Sequence, residues 1–206
     1  MILANNQRNC IEGKLGHIKN GIQIPPQHCG LVFQSRQLAI HGIQQITEQE
    51  HHAVIGNPNS KNVIIEFYDY NCGYCKRALD TVLKLANNDK AKVILVELPI
   101  LGPDSQAAAL ASTVVNKIAP EKFWEFHKAM MTFEGHASED QIKDMVVKAG
   151  IDKSKFEKAL ADSSNFGAIL DSNTGLARSI GIGGTPSFIV NGKIIKGAMP
   201  YDAFKA

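Results

Sequence analysis

The hydrophobic pattern of residues 51–100 predicts a strand, a helix and a second strand. Residues 63–68 (VIIEFY) form an almost continuous apolar run, which is typical of a strand covered on both faces. A helical spacing of apolar residues follows and ends at Asn87. Residues 91–98 are again apolar apart from Lys92 and Glu97. The order strand, helix, strand indicates a βαβ unit with a right-handed crossover.

The remainder of the chain is predicted to be helical first and then to return to strands. Residues 104–181 carry successive helical patterns and end in a glycine-rich stretch. Strands are predicted at residues 187–190 and 193–196, because Asn191 and Gly192 between them are a strong two-residue hairpin signal. We therefore predict an α/β fold with an all-helical insertion, about residues 104–181, between a βαβ half and a C-terminal β-hairpin.

Residues 1–50 show no comparable order. They contain no apolar stretch of the roughly 7–15 residues that a signal peptide requires, so none is visible. A weak helical spacing is present only in residues 38–50. We predict a divergent N-terminal segment over residues 1–50, either flexible or an interaction arm, and a folded domain over residues 51–206.

Composition and charge exclude several functional classes. The 206 residues include 22 Lys and Arg against 20 Asp and Glu, a net charge of +2, which argues against a nucleic-acid-binding protein. Hydrophobic residues make up 44% and charged residues 20%, as is typical of globular proteins. No apolar run approaches the roughly 18 residues of a membrane span, since Glu66 and Glu97 interrupt the candidate strands.

Two cysteines carry the candidate chemistry. Cys72 and Cys75 form a Cys-x-x-Cys pair directly after a buried strand and at the start of a helix, which is the signature of a thioredoxin-like redox site. The helix dipole and the free backbone amides at that position lower the pKa of the Cys72 thiol. Cys72 is the predicted attacking nucleophile and Cys75 the resolving thiol, and Lys76 and Arg77 add positive charge nearby.

Two distant features fit the same chemistry. Glu66 interrupts the first strand, where a carboxylate is costly unless it has a function. It could relay a proton to or from Cys75; the alternative is an acid at a strand edge that faces solvent. Thr185 and Pro186 directly precede a strand, and a cis bond there would expose the Thr185 backbone to an extended substrate segment.

Four segments resemble the DsbA-like family of thiol–disulfide oxidoreductases, and within it the bacterial branch with a Cys-Gly-Tyr-Cys site: residues 67–76 (FYDYNCGYCK), 98–103 (LPILGP), 123–127 (FWEFH) and 183–188 (GGTPSF). The resemblance covers roughly residues 52–206. It implies a thioredoxin fold with an all-helical insertion, and a site in which Cys72 and Cys75 face a cis Pro186. Glu66 matches the buried acid of thioredoxin-like proteins.

The resemblance also implies function. Catalysis would be carried by Cys72, Cys75 and Glu66, and substrate binding would involve Gly73, Tyr74, Thr185 and Pro186, with no metal and no cofactor. The implied substrates are unfolded or partly folded cysteine-containing proteins of the periplasm or cell envelope, and a membrane redox partner would reset the pair.

We predict an oxidase that introduces disulfides into exported proteins. The first alternative is a disulfide isomerase or reductase of the same fold. A non-redox chaperone or binding module is a second and less favoured alternative. An isomerase would be supported by a homo-oligomer formed through residues 38–50.

Three observations set this chain apart from the family. Residues 1–45 match no part of it, no signal peptide is visible, and the final helix is short.

Cys10 and Cys29 could form a second disulfide or be unpaired thiols without function. They lack the paired spacing of a zinc ribbon, which argues against zinc held by the four cysteines.

Overall fold

A computed structural model describes residues 16–17, 23–24, 46 and 51–204. The chain divides into two compact units, Met1–Gln45 and Ile46–Ala206. Cys10 and Cys29 lie outside the described residues, as does all of the predicted arm over residues 38–50 except Ile46.

In the first unit, the described residues form one short antiparallel pair of strands, β1 (Gly16–His17) and β2 (Gln23–Ile24). Gly16 pairs with Ile24 and His17 with Gln23.

The second unit contains one unpredicted strand at its start, followed by the predicted elements in the predicted order. They are β3 (Ala53–Gly56), β4 (Val63–Tyr68), α1 (Gly73–Asn87), β5 (Lys92–Glu97), α2 (Pro103–Ile118), α3 (Phe123–Thr132), α4 (Glu139–Lys148), α5 (Lys153–Ala161), α6 (Ser164–Ser179), β6 (Ser187–Val190) and β7 (Lys193–Lys196). Short 3-10 turns occupy Pro120–Lys122 and Tyr201–Phe204. The βαβ half, the helical insertion and the C-terminal hairpin are confirmed.

The strands form one five-stranded sheet in the order β3-β5-β4-β6-β7. β4 and β5 are parallel, as a βαβ unit requires, and every other neighbouring pair is antiparallel. β4 lies at the centre, and its last five residues are buried, which explains its almost continuous apolar sequence. Strand β3 was not predicted, because four residues between turns are too few to show a period.

Helices pack on the sheet through faces that the sequence encodes. Helix α1 buries Cys75, Ala78, Val82 and Leu85, which recur at helical spacing on one side. In the insertion, α2 contacts each of α3, α4, α5 and α6, and many of its buried residues are alanine or serine, which allow close approach. In the described part of the chain, no helix combines the length and apolar character needed to span a bilayer.

Replacing Gly56 by alanine is expected to destabilise the domain by about 2–5 kcal/mol. Gly56 has φ +82°, and a Cβ atom there would lie 2.2 Å from the backbone oxygen of Ala91, which belongs to the chain entering β5. Urea unfolding of Gly56→Ala measures the loss of stability.

The matched control is Gly181→Ala. Gly181 has φ +80°, but no heavy atom lies within 4 Å of its added Cβ, so only the cost of the left-handed conformation, about 1 kcal/mol, is expected. Equal losses in the two variants would contradict the close approach of the chain at Gly56.

Candidate active site

Cys72 lies at the junction between β4 and α1, where it is the N-cap residue of the helix with φ −80° and ψ 111°. Its backbone N–H donates to the Asp69 carbonyl oxygen at 3.0 Å. The pKa of the Cys72 thiol is lowered to about 5, mainly by a hydrogen bond from the Cys75 side chain. Hydrogen bonds from the Thr185 side chain and from the backbone amides of Cys75 and Tyr74 lower this pKa further, whereas burial acts in the opposite direction. Negative charge on the sulfur is therefore stabilised at the start of the helix.

Cys75 has the opposite environment. Its side chain is only 1% exposed, and burial, the hydrogen bond to Cys72 and the charge of Glu66 together raise the pKa of its thiol far above the ordinary value. Both cysteines are free thiols in the structure. The pair is thus asymmetric: at neutral pH Cys72 is a thiolate and Cys75 holds its proton.

The loop of Thr185 and Pro186 faces Cys72. The Cys72 Sγ lies 3.3 Å from the Thr185 carbonyl oxygen, across 113 residues of sequence, and the Thr185–Pro186 peptide bond is cis. Strand pairing explains this proximity. Because β6 runs antiparallel to β4, with Phe67 opposite Ser187, the segment that enters β6 meets the segment that leaves β4.

Glu66 is buried beneath the cysteine pair. It lies on the central strand, is 2% exposed, and shares its face with Ile64 and Tyr68, which belong to the same buried cluster as Cys75. Burial raises the pKa of its carboxyl group to about 8. The alternative of an acid that faces solvent at a sheet edge is therefore wrong.

The remaining predicted residues surround Cys72 at the surface. Gly73 begins α1, and the Tyr74 side chain is 60% exposed, with the Arg77 guanidinium carbon 4.1 Å from the centre of its ring. The Lys76 ammonium group donates to the carbonyl oxygens of Phe133 at 2.5 Å and Gly135 at 2.7 Å. These two hydrogen bonds connect α1 to the segment that follows α3.

Asp69 is a residue of the site that the sequence analysis did not single out. Its side chain is 2% exposed. Its Oδ1 accepts from the backbone N–H of Asn71 and from the Ser105 hydroxyl, both at 2.8 Å. Its Oδ2 accepts from the backbone N–H groups of Ile100 at 2.9 Å and Leu101 at 3.2 Å. An Asp directly after a strand is a known turn signal, but nothing local indicates these distant donors.

A second buried polar cluster lies between the sheet and the insertion. The Glu97 Oε1 accepts from the Tyr68 hydroxyl at 3.1 Å and the Ser112 hydroxyl at 2.9 Å, while the Tyr70 hydroxyl contacts Ser112 Oγ at 3.0 Å and His127 Nδ1 at 2.9 Å. Burial raises the pKa of Glu97 to about 7 and lowers that of His127 to about 3. The cluster ties β4 and β5 to α2 and α3, so Glu97 does more than interrupt an apolar run.

The site therefore combines a stabilised thiolate, a protonated thiol and a buried acid in one place. Among the residues that the structure describes, no group of three or more His, Cys, Asp or Glu side chains could hold a metal ion. Two sulfurs with unequal pKa values at the start of a helix are suited to forming and breaking a disulfide.

Known proteins resemble this chain over most of its length. A sequence model of the family described as thioredoxin matches residues 47–206. Disulfide bond formation protein D of Bacillus subtilis is 28% identical over 180 residues, which cover 77% of this chain and 81% of that protein.

Solved structures show the same similarity. The thiol–disulfide exchange protein alpha-DsbA2 of Wolbachia pipientis superposes with a TM-score of 0.78 at 29% identity, over 84% of this chain and 93% of that chain. The catalytic domain of Proteus mirabilis ScsC gives 0.75 at 30% identity, over 82% and 94%. The predicted thioredoxin-like α/β fold is confirmed.

Proposed function

Because the chain belongs to the thioredoxin family and is a DsbA-like thiol–disulfide oxidoreductase, we propose that it acts as an oxidase, which introduces disulfides into exported proteins through Cys72 and Cys75. The unequal pKa values of the two thiols carry this proposal. A stabilised Cys72 thiolate favours the reduced pair, so the oxidised pair readily gives its disulfide away.

The first step of the proposed reaction opens the disulfide of the oxidised pair. A substrate thiolate attacks the Cys72 sulfur, a bond forms between those two sulfurs, and the Cys72–Cys75 bond breaks. Cys75 leaves with the electron pair and takes up a proton, as its raised pKa favours. The substrate is then joined to Cys72 next to Thr185, whose backbone is suited to pairing with an extended segment.

The second step releases the oxidised substrate. A second substrate thiolate attacks the substrate sulfur of the mixed disulfide, and Cys72 leaves as a thiolate, a good leaving group because its pKa is lowered to about 5. Two electrons have moved from the substrate to the pair. A membrane redox partner that accepts two electrons resets the pair, without a cofactor bound to this chain.

Glu66 is the proposed proton donor to Cys75. The charge of an ionised Glu66 raises the pKa of the Cys75 thiol, so the two groups interact electrostatically. Burial raises the pKa of Glu66 itself to about 8, so its carboxyl group is protonated at neutral pH. It can therefore give a proton to the Cys75 thiolate as the disulfide opens, and regain it from solvent.

Replacing Glu66 by glutamine is expected to slow disulfide opening by about a hundredfold at pH 7, because the amide cannot donate that proton. Expressed per dithiol thiolate, the wild-type rate of opening should fall as pH rises through about 8, where Glu66 ionises, and the variant should lack this step. Stopped-flow reduction with a dithiol across pH 6–10 measures both effects.

Stability gives a second readout of the same substitution. The folded-state pKa of Glu66 lies above its ordinary value of 4.5, so the unfolded chain ionises first and stability falls as pH rises from about 4.5 to 8. Glu66→Gln should remove the part of this dependence that lies between pH 7 and 8, because Glu97, whose pKa is raised to about 7, also contributes at lower pH. The control is Glu97→Gln, a buried acid bonded to Tyr68 and Ser112, which should keep the rate step near pH 8. An unchanged step in Glu66→Gln would rule out the relay.

The substrates and the compartment follow from the same proposal. A disulfide donor acts on unfolded or partly folded proteins with free cysteines, and new disulfides persist in the periplasm or cell envelope rather than in reducing compartments. The proposed contacts of the substrate are Gly73, Tyr74, Thr185 and Pro186, because they border the Cys72 sulfur.

Residues 1–50 are the proposed arm, and a homo-oligomer formed through residues 38–50 would favour an isomerase instead.

The redox equilibrium of the pair with glutathione tests the direction of the reaction. An oxidase has a pair that lies mostly in the reduced form, whereas a reductase has a pair that lies mostly in the oxidised form. Absence of any reversible disulfide between Cys72 and Cys75 would leave only the binding-module alternative.

A further inference from the structure

A cavity lies between the edge strand β3 and the helical insertion. Its volume is about 910 Å³, and the residues that line it all belong to the second unit, Ile46–Ala206. They come from the start of β3, the end of α2, the start of α3 and Phe166 of α6. Neither Cys72 nor Thr185 is among them. The cavity is therefore distinct from the cysteine site, and its size falls within the roughly 300–1,000 Å³ of small-molecule sites.

Two adjacent histidines line this cavity with ring nitrogens that have no hydrogen-bond partner. His52 is only 4% exposed, and both of its ring nitrogens are buried and unpartnered, as is Nε2 of His51. Among the residues that the structure describes, one other buried side-chain nitrogen or oxygen is unpartnered, Nε2 of His127. The His127 ring stacks on Phe123 and Trp124 of the cavity wall. Because buried polar atoms are nearly always hydrogen-bonded, their concentration here indicates a ligand.

The two histidines are held in place before any ligand binds. The Asn116 side-chain amide donates to the His51 carbonyl oxygen at 2.9 Å, which connects the segment before β3 to α2. The rings of His51 and His52 lie 4.3 Å apart between their centres. Burial, and to a smaller extent the charge of His51, lowers the pKa of His52 to about 3, so its ring is neutral at pH 7 and carries one N–H donor.

The other lining residues define the kind of ligand that fits. Lys117, at the end of α2, is exposed and adds a positive charge, whereas no Asp or Glu lines the cavity. Phe123, Trp124 and Phe166 supply aromatic surface. A carboxylate accepts hydrogen bonds and is attracted by the ammonium group, and a flat aromatic body packs against the three rings.

We propose that this cavity binds a small aromatic carboxylate, whose ring packs against Phe123, Trp124 and Phe166 and whose carboxylate accepts from the His52 N–H, with Lys117 balancing its charge. This binding site goes beyond the proposed function, because its ligand takes no part in thiol–disulfide exchange.

Binding of 2-naphthoate tests the proposal, with 2-naphthamide as an uncharged ligand that has the same ring. Trp124 is the single tryptophan of the chain, so its indole N–H gives one nuclear magnetic resonance signal that reports on the cavity directly. We expect 2-naphthoate to shift this signal in a saturable way, with a dissociation constant below about 1 mM. The amide should bind at least about tenfold more weakly, because a hydrogen bond to a charged acceptor is stronger.

Two substitutions separate the recognition of the carboxylate from the packing of the ring. His52→Phe keeps a planar ring and removes both nitrogens, so the preference for naphthoate over naphthamide should fall to about twofold or less. Lys117→Met keeps the apolar stem of an exposed side chain and should weaken naphthoate binding by about threefold. The matched control is Lys148→Met, an exposed lysine on α4 outside the cavity, which should leave the affinity unchanged.

The outcomes of these titrations decide the proposal. It is overturned if about 10 mM naphthoate leaves the Trp124 signal in place, if the two ligands bind equally, or if a folded His52→Phe variant keeps the preference. Should His52→Phe fail to fold, an unchanged naphthoate affinity in Lys117→Met overturns it instead. Cys72→Ser should bind naphthoate as the wild-type protein does, so a failure of the proposed exchange activity and a failure of this site are distinguishable.

Discussion

Cys72→Ser should lose thiol–disulfide exchange completely, with a rate at least about a thousandfold below the wild-type protein, because the hydroxyl cannot replace the attacked and leaving sulfur. The stabilisation at the start of α1 acts on the Cys72 sulfur alone, since the pKa of the Cys75 thiol is strongly raised. Oxidative refolding of a reduced, unfolded substrate protein measures this loss.

Cys75→Ser provides the complementary variant. The Cys72 thiolate of this variant can still attack a disulfide of an oxidised substrate, which releases one substrate sulfur as a thiolate and joins the other to Cys72. Without the second sulfur, this mixed disulfide cannot be resolved from within the pair, so a covalent complex with substrate should accumulate. Non-reducing electrophoresis with mass spectrometry would detect it. A trapped complex in Cys72→Ser would show that the roles of the two sulfurs are reversed, and comparable exchange in the two variants would show that the two sulfurs have no distinct roles.

The redox equilibrium should lie far toward the reduced pair. Lowering the pKa of the Cys72 thiol from 9.0 to about 5 makes it almost fully ionised at pH 7. This ionisation favours the reduced pair by about a hundredfold over a pair with an unshifted thiol, which is about 60 mV in potential. Equilibration with glutathione buffers, followed by thiol alkylation, gives the potential.

The pH dependence has a definite sign. Because the folded-state pKa of Cys72 is depressed, its contribution to the stability of the reduced protein is fully present above about pH 9 and is lost as pH falls through about 5. Thiolate absorbance near 240 nm should therefore titrate with a midpoint near pH 5 in the wild-type protein and not in Cys72→Ser. A midpoint near 9 together with a strongly reducing potential would contradict the oxidase and favour a reductase or isomerase.

Features that depend on neighbouring residues in the chain could be predicted from the sequence. Strand β4 was recognisable because five consecutive buried positions need apolar residues, and Glu66 was conspicuous within that run. The hairpin between β6 and β7 was recognisable because Asn191 and Gly192 adopt φ 51° and 74°, a conformation that these residue types tolerate best. The Cys72–Cys75 pair was found in the same way, since its spacing and helix position are local properties.

Features that depend on sheet order and on loop packing were decided only by the tertiary structure. Thr185 lies 3.3 Å from the Cys72 sulfur because β6 pairs with β4, and no local pattern specifies that neighbour. Two of the donors to Asp69, on Ile100 and Leu101, lie about 30 residues further along the chain and are backbone N–H groups, which every residue other than proline carries and no sequence pattern marks. The sequence by itself therefore determined the reactive pair and the elements that carry it. The folded chain determined which distant groups surround that pair, because burial and hydrogen bonding are properties of the packed whole.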